Sequence, residues 1–438
     1  MNRLLPGGLP LWSLRRPGPQ VVAARLWLRG GSGADPMGLR GSAQLLAGLL
    51  TRGCGDLNAE GLADIVEGCG AALRAEAGED HLAISLKCSS RDAPSLLPLL
   101  LAMVREPQLA PGQIELERQL NLQTLNRQRE DPFQLAHDQI RQQLYGLGPY
   151  GHDPLGVDRE LAAIDGDHLR LRARQLGTDG AVLVICGAFS EDDLHSIDRD
   201  LELRPWRSRL PRLEPGPERS LQQPLMVLDQ ATEQLVLMLG WATVPLGHPD
   251  GLALRLLQVH LGVGMSSRLF VSLREARGLA YDVGCHLPAR RGSAPFVWHL
   301  STSPERAVEA TEALHEEWQR LITTPLSVRE LDLARAKFRG QDAMGRQTCG
   351  QIADRLALVL SHGLPEAYEQ HGLEQLDSLS AEDLRTVAER HLREPVICFC
   401  GPGDALERAA NRWRTLHEAD SSSLSETRNV PRRKRTAR

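Results

Sequence analysis

The stretch GAVLVICGAFS, residues 180–190, is an apolar run that ends in glycine, and it reads as a β-strand. The same figure returns at residues 394–404 as EPVICFCGPGD, again a strand running into glycine. Working outward, each has a matching strand at the start of its half. QVVAARLWLR, residues 20–29, opens the first half, and EQLVLMLGWA, residues 233–242, opens the second. Val22 to Val182 spans 160 residues and Leu235 to Val396 spans 161. Equal spacing of like elements indicates a duplicated domain.

Between these strands the two halves keep the same order. In the first, Leu45, Leu46, Leu49 and Leu50 fall at helical spacing. A helix, a glycine break and strands follow in residues 58–88, and then three helices near residues 94–106, 111–130 and 132–145. In the second, GLALRLLQVHLG (251–262) is a helix, GLAYDVGCHL (278–287) leads into a strand, and residues 305–322 and 327–344 are helices. Many strands are adjacent in sequence, which favours an antiparallel or mixed sheet. The expected class is α+β: two homologous domains, each a sheet with helices packed on one face. The expected boundaries are 1–205, a Pro- and Arg-rich linker at 206–222, a second domain at 223–415, and a disordered basic tail at 416–438.

Composition excludes several function classes. With 438 residues, 42% apolar, the chain can bury a large core. A formal charge of −5 gives the body no basic surface for nucleic acid. No apolar run reaches the roughly 20 residues of a membrane helix. The N-terminus is broken by Pro and Gly and makes a poor secretory signal. The eight cysteines form no CxxC pair, and Cys186, Cys398 and Cys400 read as buried thiols of a reducing compartment, which favours a cytoplasmic location. No nearby His or Cys pair completes a metal site around Cys398 and Cys400.

One segment is highly specific. GVGMSSRLFVSLREARGLAYDVG, residues 262–284, resembles the C-terminal domain of insulinase/pitrilysin-type metallopeptidases, the inverzincins, including their mitochondrial-processing-peptidase-like branch. GSAQLLAGLLTRG (41–53), YGHDPLGV (150–157) and the duplicated layout fit the same family, so the resemblance covers about residues 10–415. It implies half of a clam-shell peptidase chamber. It also implies an H-x-x-E-H helix in the first domain, with two zinc-binding histidines, a general-base glutamate between them, and a distal glutamate ligand.

At the matching positions this chain departs from the family. Gln44 takes the place of the first histidine, Ala47 of the base, Gly48 of the second histidine and Thr124 of the distal glutamate. Ala47 and Gly48 carry no coordinating group, and a catalytic zinc needs about three protein ligands. No H-x-x-E-H occurs elsewhere. His81 reads as part of a solvated loop and His315 as part of a polar helical face. No metal is therefore expected in this chain, and no residue of this chain alone is expected to be catalytic.

The second domain keeps what the family presents toward its cleft. Arg274 and Tyr281 match the family's Arg/Tyr pair, with Gly278 allowing the turn between them. The resemblance implies that they bind a substrate backbone carbonyl. Arg277 reads as a turn residue. By the same resemblance, the chain is a non-catalytic subunit of a heterodimeric zinc endopeptidase, whose related partner chain holds the zinc and with which it binds peptide substrate. The alternatives are a scaffold or peptide-binding protein without proteolysis, and an autonomous peptidase with another metal or none.

Overall fold

The computed structural model describes residues 2–207 and 225–428. The first domain begins with β1 (Asn2–Leu4), β2 (Pro10–Arg15) and β3 (Val21–Arg29). Then come α1 (Ser42–Leu50), the short β4 (Gly53–Cys54) and β5 (Leu57–Asn58), α2 (Ala59–Gly68), β6 (Ala72–Ala77) and β7 (His81–Ser89). It continues with α3 (Ala93–Arg105), α4 (Pro111–Gln128), α5 (Pro132–Tyr145), α6 (Asp158–Leu161), α7 (Gly166–Gln175), β8 (Val182–Gly187) and α8 (Glu191–Leu203). The second domain has β9 (Leu225–Asp229), β10 (Leu235–Ala242), α9 (Gly251–Gly262), a π-helical segment at Phe270–Ala276, β11 (Asp282–His286) and β12 (Pro295–Thr302). Helices α10 (Ala307–Thr323), α11 (Val328–Met344), α12 (Cys349–Ser361), α13 (Tyr368–Gln375) and α14 (Ala381–His391) precede β13 (Val396–Gly401) and α15 (Gly403–Arg428).

The two sheets have one topology. Strand order is β1-β2-β8-β3-β7-β6 in the first domain and β9-β13-β10-β12-β11 in the second. Apart from the extra β1, strands correspond one to one. β2 and β8 pair in parallel, as do β9 and β13, and the other neighbours in both sheets are antiparallel. The expected mixed sheets and duplicated domains are therefore present.

Each sheet buries one face on its own helices. Val22, Ala24, Leu26, Leu183 and Ile185 point into one core, and Leu235, Leu237, Leu239, Ile397 and Phe399 into the other. The opposite face is covered by a helix of the other domain. From β8, Val182, Val184 and Cys186 meet α12 through Ala353, Leu356 and Ala357. From β10 and β13, Val236, Met238, Cys398 and Cys400 meet α5 through Ala136, Ile140 and Leu144. A Cβ on Gly240 would lie 2.4 Å from Ile140 Cγ2, so that glycine lets α5 approach. Central strands covered on both faces need continuous apolar sequence rather than alternation, which is what β8 and β10 have.

Charged groups cross the same junction. Arg25 pairs with Asp354, and Arg290 with Glu79. The Tyr150 hydroxyl donates to Asp80 at 2.7 Å and accepts from the Gly292 N–H at 2.9 Å. Arg290 also stacks over the Tyr145 and Tyr150 rings.

Four local expectations are corrected. His81 is not in a solvated loop: it begins β7, stacks on Trp27 with centroids 3.7 Å apart, and burial lowers its pKa to about 4. His315 lies on a buried face of α10, edge-on to Trp318 and Trp413. Trp206, placed at the start of the linker, belongs to the first core and donates to the Leu176 carbonyl. Residues 416–428 continue α15 rather than starting a disordered tail. Leu406, Ala409, Ala410 and Trp413 form that helix's buried stripe, and His417, one turn on, stacks against Trp318. The rest of the expected linker from residue 208, and the tail from 429, lie outside the described residues. Among the described residues, no helix is long and apolar enough to cross a membrane.

Candidate functional site

Helix α1 is mounted rigidly. The Asp35 carboxylate accepts from the Gly41 and Ala43 N–H groups and the Ser42 hydroxyl at 2.8–3.0 Å. These contacts satisfy N–H groups at the helix start that have no partner within the helix. Asp35 is itself buried beside Arg172, 3.2 Å away. Burial raises the Asp35 carboxyl, and Arg172 opposes that shift.

Along α1, Leu45, Leu46, Ala47, Leu49 and Leu50 are fully buried. Gln44 and Gly48 are half-buried on the remaining face. What faces Gly48 is not Thr124 but Glu117, two turns earlier on α4. A Cβ on Gly48 would fall 2.3 Å from Glu117 Oε2. Glu117 is buried, and its Oε1 lies 2.6 Å from Arg52 Nη2 and accepts from Arg52 Nε at 2.8 Å. The buried face of α4 is Ile114, Glu117, Asn121 and Leu125. Thr124 is exposed, and its hydroxyl donates back to the Leu120 carbonyl at 2.9 Å.

The space beside α1 is thus filled by an Arg52–Glu117 ion pair. Gln44 offers one neutral amide, Ala47 and Gly48 offer nothing, and Thr124 points away. The Glu117 carboxylate against this face is already paired to the Arg52 guanidinium. These residues do not fit a zinc ion. Among the described residues, no group of three or more His, Cys, Asp or Glu side chains is placed to hold a metal.

The segment carrying Arg274 and Tyr281 is built differently. Its base is a buried polar knot with α10. Arg268 Nε lies 2.5 Å from Glu317 Oε2, Arg268 Nη2 donates to the Glu317 carbonyl at 2.9 Å, and the Ser272 hydroxyl donates to Glu317 Oε1 at 2.6 Å. Burial lowers the Arg268 pKa and Glu317 opposes it. The π-helical turn Phe270–Ala276 rises from this knot, a distortion often found at functional sites. Gly278 follows at φ +59°, a left-handed conformation that favours glycine. Arg306 Nη1 donates to the Gly278 carbonyl at 2.7 Å, and the Leu279 N–H donates to the Leu273 carbonyl at 2.8 Å. Tyr281 then enters the edge strand, its N–H donating to the Ser301 carbonyl at 2.8 Å.

On this fixed backbone the two side chains stand in the open. Tyr281 is 59% exposed, a large value for an aromatic residue. Arg274 is exposed and lies over the Phe270 ring, 5.0 Å from its centroid. Neither side chain has a hydrogen bond or ion pair among the described residues. Arg277, by contrast, closes the π-helical segment and pairs with Glu316 at 2.7 Å. Glu117 is not among the site residues predicted from the sequence. Its place beside Gly48 could have been found from the pattern Ile114, Glu117, Asn121, Leu125, which puts a carboxylate in the middle of a buried stripe.

The chain is similar to known proteins along most of its length. Residues 12–156 match the family described as "Insulinase (Peptidase family M16)", and residues 172–338 match "Peptidase M16 inactive domain". An uncharacterized zinc protease of Mycobacterium leprae is 24% identical over 401 residues, covering 89% of this chain and 88% of its own length. An uncharacterized zinc protease of Mycobacterium bovis is 26% identical over 394 residues, covering 89% of each. The crystal structure of a peptidase M16 inactive domain from Pseudomonas fluorescens superposes with a TM-score of 0.85 at 22% identity, covering 92% of this chain and 98% of that one. A protease from Helicobacter pylori superposes at 0.82 and 18% identity, covering 92% and 99%. With both halves matched, and with Gln44, Ala47, Gly48 and Thr124 at the metal positions, the chain belongs to the insulinase family, peptidase M16, as a member without the family's zinc motif.

Proposed function

We propose that this chain is the non-catalytic subunit of a heterodimeric zinc endopeptidase, binding peptide substrate and completing the active site of a related, zinc-bearing partner chain. The observation that carries the proposal is the contrast within one molecule. The metal position on α1 is closed by a paired carboxylate, whereas Arg274 and Tyr281 stand exposed on a braced segment. An enzyme fold that had only a scaffold role would have no need of an open cation and phenol on so rigid a mount. In the proposed assembly, each chain forms half of a clam-shell chamber. Arg274 and Tyr281 donate hydrogen bonds to a backbone carbonyl oxygen of the bound peptide. Donors fixed in advance act most strongly where negative charge develops on that oxygen, and removing one costs about 2.7–4 kcal/mol. The metal and the base belong to the partner. We place the assembly in the cytoplasm.

The test uses the assembled complex with a related chain carrying an intact H-x-x-E-H. Arg274→Ala and Tyr281→Phe are expected to lower turnover of an unstructured peptide while co-elution of the two chains is unchanged. Unchanged turnover in both variants would remove the substrate role and leave a scaffold.

A further inference from the structure

We propose that Cys186 and Cys349 form a disulfide under oxidising conditions, stapling α12 of the second domain to the sheet of the first. The pair plays no part in the function proposed above. Cys186 is the last of the three β8 residues, Val182, Val184 and Cys186, that face α12. Cys349 is the first residue of α12, directly after the cap Thr348, and packs against the same cluster. The two thiols pack in one cluster across the domain junction, and Cys349 adds to the upward shift of the Cys186 thiol. Both are free; Cys186 is buried and Cys349 half-buried.

The start of α12 is held close to the sheet. A Cβ on Gly350 would lie 2.9 Å from Lys87 Cε and 3.2 Å from Arg25 Nη2, so that turn lies against side chains of β7 and β3. Arg25 grips Asp354 one turn further on. Disulfide geometry is specific, and packed, ion-paired elements fix the two backbones so that only side-chain rotation is left to meet it.

The oxidant is a peroxide, which reaches the half-buried Cys349. Its sulfur attacks one peroxide oxygen, the O–O bond breaks, and water leaves a sulfenic acid. Cys186 then loses its proton and attacks the Cys349 sulfur. The S–O bond breaks and hydroxide leaves, taking up that proton as water. Two thiols and one hydrogen peroxide give one disulfide and two waters. Burial, with the neighbouring thiol adding to it, pushes Cys186 up to about 12, so little thiolate is present and the second step is the slower one.

The product would hold the two domains in one relative orientation covalently, where packing and ion pairs hold them reversibly. The full-length protein, incubated with hydrogen peroxide and blocked with N-ethylmaleimide, is digested without reductant and mapped by mass spectrometry. A linked Cys186–Cys349 peptide is expected, with a rise in unfolding midpoint that dithiothreitol reverses. Cys349→Ser should abolish both. Cys186→Ser should leave a Cys349 sulfenic acid that dimedone traps; if that variant does not fold, Cys349→Ser at the half-buried site still decides. Two results would overturn the proposal. One is Cys349 accumulating as sulfenic or sulfinic acid in the unaltered protein without the linked peptide. The other is equal linkage in the guanidinium-denatured chain, which would show that the fold does not direct it.

Discussion

Helix α1, at the position of the family's zinc motif, and the segment 268–281, which we propose binds substrate, are built in opposite ways. In α1 the ligand positions have become Gln44, Ala47 and Gly48, and the vacated face holds Glu117 paired with Arg52. In segment 268–281 the buried Arg268–Glu317–Ser272 knot is intact, and the side chains above it are free. In the first region the Arg52–Glu117 pair occupies the metal position, and in the second the buried Arg268–Glu317 pair braces the segment beneath two exposed side chains. The lesson is that loss of the metal motif in one domain need not loosen the fold of the other, because each domain has its own core.

The largest effects should come from forcing the first region back toward the family pattern. Ala47→Glu with Gly48→His places a carboxylate in a fully buried position and an imidazole where Glu117 already sits. The expected loss is at least 3–5 kcal/mol, as for an uncompensated buried charge, read by chemical denaturation. Even with Gln44→His and Thr124→Glu added, no tightly bound zinc is expected by elemental analysis, since Thr124 faces away. A stable quadruple variant holding one zinc would break the contrast between the regions.

Next in size is the support of the second region. Arg268→Ala leaves Glu317 buried with only the Ser272 hydroxyl, and should cost about 3–5 kcal/mol. Arg274→Ala, six residues on, touches only the Phe270 ring and should change stability by less than about 0.5 kcal/mol. Equal losses from the two would show that Arg274 is structural.

Acid should weaken both domains by a smaller amount. Burial lowers His81, His152 and His260 to about 4, the first two in the first domain and the third in the second. His137, on the exchanged helix α5, is lowered to about 3 by burial and by nearby Arg141. Between the unfolded value near 6.5 and these folded values, the unfolded chain binds more protons, so stability falls as pH drops. At pH 5.5 each such histidine costs about 1 kcal/mol relative to neutral pH. Burial also lowers His286, His299 and His362 of the second domain, so hydrogen exchange at pH 7.5 and 5.5 should show both domains losing protection. His81→Phe should weaken the dependence in the first domain, and protection unchanged between the two pH values would contradict this account.

The duplication was legible because strands recur at equal spacing, and an apolar strand run depends little on what it packs against. The metal-site loss was legible because ligation needs particular atoms, and Ala47 and Gly48 lack them. The helix exchange was not legible: the apolar stripes of α5 and α12 announce burial but do not say which sheet they cover. His81 and His315 were misplaced for the same reason. Their burial comes from Trp27 and from Trp318 and Trp413, partners that no local pattern reveals. Glu117 went unnoticed because its meaning depends on Gly48, far away in sequence.

The most direct test of the central claim is peptide hydrolysis by this chain alone, by a related chain with an intact H-x-x-E-H alone, and by the two mixed, with zinc measured in each. The account predicts hydrolysis only in the mixture, with zinc in the related chain and none in this one. Zinc held by this chain, hydrolysis by it alone, or no complex and no gain on mixing would contradict it.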